Sequence, residues 1–294
     1  MSVTTESWTS VDQELCNECG ICVIRCPTNY SNENGRIDAH AGVDTCNLCG
    51  HCVAMCPEDA IIHHQMDMDN FPAVDLTLKI DPEEFFQFVR GRRSVRHYRN
   101  KAIPREDLES LVDLCRYAPT GSNLQSVEIL VVEKPDRVKM FSDLCVDYFE
   151  EGLAEIEDAA EALRAEGKEI PEELQENLDR LPFRKRIAAA RSLGRDPIFH
   201  GAPAVMIFHS EKTPSTPKDD CVIAAQTVVL AAMTLKLGTC YIGLFYSPAR
   251  AYRPVVDELN LPAGHQIGSV LVLGYPKLKF LKSVDRFPMK VRWE

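Results

Sequence analysis

Eight of the twelve cysteines in this 294-residue chain fall between positions 16 and 56. They form two runs of one spacing: Cys16, Cys19, Cys22 and Cys26, closed by Pro27, and Cys46, Cys49, Cys52 and Cys56, closed by Pro57. Three thiolates set two residues apart on one tight loop can take three corners of an iron-sulfur cube. Zinc would use pairs of C-x2-C with four ligands per ion, and would leave the third cysteine and the repeated Cys-Pro ending unexplained. A disulfide framework belongs to exported chains. The opening residues, MSVTTESWTSVDQEL, have no basic stretch leading into an apolar one, so the thiols are expected in a reducing, cytoplasmic setting.

The doubled C-x2-C-x2-C-x3-C-P resembles the bacterial two-cluster ferredoxins. The resemblance implies two 4Fe-4S clusters, with the fourth cysteine of each run serving the other cluster. Cys16, Cys19, Cys22 and Cys56 are then one ligand set, and Cys46, Cys49, Cys52 and Cys26 the other. Gly20 and Gly50, at matching positions, are expected to let backbone approach the clusters. A module of this size is too small to fold well on its apolar core and should depend on its metal. His51 is a candidate donor to a cluster sulfur, though its residue type favours an exposed polar role. His63 and His64, without a partner at metal-binding spacing, read as linker.

Charge divides the chain as the cysteines do. Residues 1 to 80 hold 12 acids against Arg25, Arg36 and Lys79, a net of -9 within the total of -11. Such acidity argues against nucleic acid, whose phosphates need clustered Lys and Arg. The most apolar window, Cys221 to Leu235, is too short for a bilayer, which needs about 20 residues. The expected organisation is an iron-sulfur module over 1–65, an extended connector over 66–80 without sustained periodicity, and a second domain over 81–294.

In that second domain Asp81, Pro82, Glu83 and Glu84 predict a helix start running to about Arg90. Arg92, Arg93, Ser94 and Arg96 then place three guanidinium groups and a hydroxyl within five residues, a natural grip for a phosphate monoester, although a solvated basic helix end would read the same way. Leu108, Leu111, Val112, Cys115 and Ala118 form a helical stripe, with Cys115 expected in the core. A turn at Thr120 to Asn123 leads to a strand over Val127 to Val132. Asp220 to Leu237 predicts a helix apolar on most sides and ended by Gly238.

Taken in order, RRSVR at 92–96, APTGSN at 118–123, the helix from Asp220, GTCYIG at 238–243 and LGYP at 273–276 resemble the nitroreductase superfamily. The resemblance covers the chain from about residue 81 onward. It implies an α+β sandwich following a ferredoxin-type two-cluster module, with FMN bound at a homodimer interface. It also implies that Asn123 and Gln125 reach the flavin edge, that the backbone of Ile242 and Gly243 faces the reactive ring nitrogen, and that Lys282 and Arg286 complete the phosphate site. Ser126, where the family usually has Pro nearby, is a departure in this loop. No side chain is demanded as a catalytic acid or base.

No G-x-G-x-x-G occurs, so a separate dinucleotide domain is not expected. The expected activity is an oxidoreductase passing electrons through both clusters to FMN and on to a small electron-poor acceptor such as a nitroaromatic. A ferredoxin or NAD(P)H would be the donor. The alternative is a redox partner or sensor flavoprotein that trades electrons with another protein. An insertion over about 148–202 is acidic from Glu150 to Asp179 and then basic from Arg180 to Arg195. It reads as a solvated hairpin, or else as a lid or docking surface.

Overall fold

The computed structural model describes residues 7–294, which divide into two compact units: residues up to 80 with Ser122–Leu124, and Asp81–Gly121 with Gln125–Glu294. No described helix is long and apolar enough to cross a membrane.

The first unit repeats one motif twice. Each cysteine loop leads into a short helix, α1 (Ile21–Arg25) and α2 (His51–Ala54). Antiparallel pairs follow: β1 (Thr9–Val11) with β4 (Ile61–His63), and β2 (Tyr30–Glu33) with β3 (Arg36–Ala39). Its core is small, built on Tyr30, Ile37, Val53 and Ile61. Gly20 and Gly50 cap the two helices at φ of 72° and 68°. A left-handed turn requires glycine there, and the two glycines also line the two cysteine cavities. The expected connector is partly folded, since Met68 and Phe71 pack on this core.

The second unit is a four-stranded antiparallel sheet between helices. Its elements run α3 (Pro82–Gly91), α4 (Arg105–Leu114), β5 (Glu128–Val132), α5 (Pro135–Ala165), α6 (Glu172–Asp179), α7 (Leu181–Ser192), β6 (Ala204–Glu211), α8 (Pro217–Thr234), β7 (Gly238–Tyr241), α9 (Tyr246–Ala251), α10 (Arg253–Leu259) and β8 (His265–Gly274). The strand order is β5-β6-β8-β7. Successive side chains on a strand point to opposite faces. Accordingly Val205, Ile207, Val270 and Val272 join one cluster with α5, α9 and α10. Ala204, Met206, Phe208, Leu271 and Leu273 join another with α4 and α8.

Asp81 caps α3 as expected, accepting from the backbone of Glu83 and Glu84 at 2.9 and 3.0 Å. The helix expected to end at Gly238 stops at Thr234. Lys236 takes the left-handed position at φ 61°, and Leu237 N–H closes on Ala232 O at 2.8 Å. Gly238 instead opens β7, where an added Cβ would lie 2.5 Å from Val95. Cys115 is half-buried, and its thiol, pushed up to about 11 by that burial, donates to Leu111 O.

The insertion grows from α5, which begins well before residue 148, and folds back through α7. Its two charge blocks meet each other. Arg191 pairs with Asp147 and Glu150, Lys185 with Glu157 at 2.6 Å, and Arg184 lies over the Phe149 ring. Much of the basic stretch therefore serves the hairpin itself.

Candidate functional site

In the first unit, one cavity is lined by Cys16, Cys19, Cys22 and Cys56, and another by Cys26, Cys46, Cys49 and Cys52, with Cys52 touching both. All twelve cysteines are unpaired. Burial pushes the Cys22 and Cys52 thiols up, so thiolates there call for a cation. Such a donor set of four thiols around one space suits an iron-sulfur cluster.

His63 departs from its expected place in the connector. It closes β4, is 1% exposed, and its Nε2 lies 3.5 Å from Cys46 Sγ. Ile61 and His63 share a face of this three-residue strand, and Ile61 is core. Thr9 and Tyr30 were likewise passed over, and both line the second cavity. His51 is exposed and accepts from the Arg25 guanidinium, while His64 is exposed.

In the second unit the arginine stretch is fixed to the sheet. Ser94 bridges Thr239, Val95 N–H donates to Thr239 O at 2.9 Å, and Tyr98 bridges Pro276. Arg92 lies near enough to Tyr241 for its charge to oppose the rise of that phenol, which burial pushes up to about 12. Arg93 uses Nη1 on the carbonyls of Arg90 and Arg92, and its buried Nε has no partner. Arg96 is exposed.

Ile242 spends its N–H on Val270 O at 3.0 Å. Nothing lies within 4 Å of where a Cβ on Gly243 would be, so of this pair Gly243 is the one that presents open backbone. The turn before β5 is tied to α8 by Asp220, which is buried and accepts from Gly121 N–H and Thr216 at 3.0 Å. Ser122, Asn123 and Gln125 all have positive φ there, a conformation that costs energy outside glycine and collects at ligand clamps.

Asn123, counted with the first unit, spends its side-chain amide on the carbonyls of Asn47 and Leu48, both at 3.0 Å. Gln125 is exposed, its backbone N–H bonded to Thr120. Lys282 and Arg286 lie in an exposed tail without regular structure. That tail starts beside the arginine stretch, where Lys277 N–H donates to His97 O at 2.8 Å. A cavity of about 670 Å³ lined by residues such as Lys101, Ser142 and Asp196 includes none of the expected flavin residues.

A family model described as "Nitroreductase family" matches residues 89–275. The chain belongs to the nitroreductase family. A model described as "4Fe-4S dicluster domain" matches residues 9–57, so this nitroreductase-family oxidoreductase carries an N-terminal ferredoxin-type domain. It is 29% identical over 212 residues to Nitroreductase NfnB of Mycolicibacterium smegmatis, covering 67% of this chain and 85% of that one. In fold it is similar to a nitroreductase with bound FMN from Bacteroides fragilis, with a TM-score of 0.50 at 21% identity over 71% of this chain and 99% of that one. It is similar also to a BluB-like flavoprotein from Clostridium difficile, with a TM-score of 0.53 at 18% identity over 70% and 95%.

Proposed function

We propose that this oxidoreductase reduces a small electron-poor acceptor, a nitroaromatic being the type, using FMN and two 4Fe-4S clusters. The observation that carries the reading is the pair of four-cysteine cavities in a chain of the nitroreductase family. When bound, the clusters supply electrons singly and the flavin delivers them as a pair.

The residues of the second unit fit a phosphorylated flavin. Arg92, Arg93 and Ser94 would hold the phosphate, and the unpartnered Arg93 Nε is a buried donor in want of an acceptor. A bidentate guanidinium fork matches phosphate oxygens, and Arg96, Lys282 and Arg286 would add charge from the exposed side. Gly243 would offer its backbone to the ring. Asn123 and Gln125 stand on the strained turn that resembles the family's flavin-edge segment. Burial keeps the Tyr241 phenol protonated at neutral pH, so it stands as a hydrogen-bond donor.

Apolar surface supports a homodimer. Leu281, Phe287, Met289 and Trp293 on the tail are each more than four-fifths exposed, and Val222 and Ile223 of α8 are more than a third exposed. One chain leaves these apolar groups in water, and a second copy of the chain would cover them.

Anaerobic purification with iron, sulfide and FMN quantified, then reduction by ferredoxin or NADH and addition of a nitroaromatic, tests the reading. Reoxidation of both cofactor types by the acceptor is expected. Cofactors that reduce and then stay reduced across a panel of small acceptors would replace the enzyme with a flavoprotein that exchanges electrons with a protein partner.

A further inference from the structure

The two cysteine cavities are walled by different chemistry. Around Cys16, Cys19, Cys22 and Cys56 the wall is largely Ile21, Ile37, Ile61 and Ala60. Its polar side chains are Asn17 and Glu58, and the Asn17 amide is spent on the Glu58 carboxylate at 2.9 Å. A negative charge is left at this site's rim, and the Ala60 N–H, 3.3 Å from Cys56 Sγ, is a backbone donor.

Around Cys26, Cys46, Cys49 and Cys52 the wall includes Thr9, Tyr30 and His63, each at most 2% exposed. Gln65 N–H donates to His63 Nδ1 at 3.3 Å. That bond places the ring proton on Nε2, the atom 3.5 Å from Cys46 Sγ, so the imidazole donates to the ligand sulfur. The Thr9 and Tyr30 hydroxyl oxygens are buried without any partner. Buried hydroxyls seldom go unpaired; the Tyr30 hydroxyl faces the Cys52 thiol and the Thr9 hydroxyl, so a ligand sulfur is an acceptor that Tyr30 can take, with Thr9 behind it. Asn29 also lines this cavity, with one amide N–H on Thr45 O at 3.2 Å. The Arg25 guanidinium, paired with His51 at this cavity's rim, contributes positive charge.

An added electron makes cluster sulfurs more negative. N–H and O–H donors and nearby positive charge stabilise that state, while a carboxylate opposes it. Both terms have the same sign in the comparison of the two cavities. We propose that the site of Cys26, Cys46, Cys49 and Cys52 holds an electron in preference to the site of Cys16, Cys19, Cys22 and Cys56, and that His63, Tyr30 and Thr9 set the difference. They act through ligand sulfurs and are positioning residues. The inference rests on the two-cluster reading above.

The test is an EPR-monitored dithionite titration of the full chain, purified anaerobically, with iron counted first. About eight iron atoms per chain and two cluster waves are expected, the electron favouring one site by about tenfold, which is about 59 mV for one electron. Tyr30→Phe and Thr9→Val remove only hydroxyl chemistry, and each is expected to weaken that preference about threefold by lowering the upper wave alone. His63→Gln should lower the same wave, and Glu58→Gln should raise the lower one. Coincident waves at full iron, or hydroxyl variants that move the lower wave or neither, would overturn the inference while leaving two clusters in place. About four iron atoms per chain would instead overturn the two-cluster reading itself.

Discussion

The two units reach stability by opposite routes. The second sets a sheet between two helical layers and fully buries Phe208, Leu271 and Phe245. The first has four principal core residues and eight thiols facing two cavities. A core that small does not offset the entropy of ordering its chain, so ligand bonds must do so. What holds the first unit is thus written in a few side chains at fixed spacing, and what holds the second is spread over many that are individually replaceable.

Stripping the iron tests that contrast most severely. Limited proteolysis and far-UV circular dichroism should then show residues 7–71 cleaved and unfolded while the second unit keeps its cooperative melt. Loss of both together would break the contrast. In the other direction, Phe208→Ala should cost about 3–5 kcal/mol in urea denaturation of the second unit and leave iron content unchanged. Gly238→Ala forces a methyl against Val95; about 1–3 kcal/mol is expected, together with weaker FMN retention on a desalting column.

Protons provide a milder probe. His200 and His209 are held below the usual 6.5 by burial, and His209 is bonded through Nδ1 to His265 Nδ1 at 2.9 Å. Above 6.5 these imidazoles are neutral folded or unfolded; below it the unfolded chain takes up protons first, so stability falls as pH drops. His209→Gln should flatten part of that slope in melts between pH 7 and 5. Smallest of all, Lys185→Glu breaks an exposed pair with Glu157 and should change stability by about 0–1 kcal/mol, with no effect on reduction rate.

Legibility in the sequence followed the same division. Cysteine spacing named the residues that line the two cavities of the first unit, because spacing is local to each run. The cap at Asp81 and the stripe through Leu108 and Leu111 were readable because they are local. His63 was missed because three residues of strand are too few to display alternation, and its partner Cys46 lies 17 residues away. The end of α8 was misplaced because a lysine accepted the left-handed position that glycine usually takes. The mutual pairing of the insertion's charges was hidden because α5 and α7 meet only after the chain turns twice.

The bridges of Ser94 to Thr239 and of Tyr98 to Pro276 join segments more than a third of the chain apart. During synthesis the arginine stretch leaves the ribosome early and must wait for the last strand of the sheet before it can dock. The cysteine loops close over short distances and are nearly complete once Phe71 has emerged. Assembly is therefore ordered in time: the cysteine-bearing half can close early on the nascent chain, and the arginine-bearing half only after Pro276 has been made.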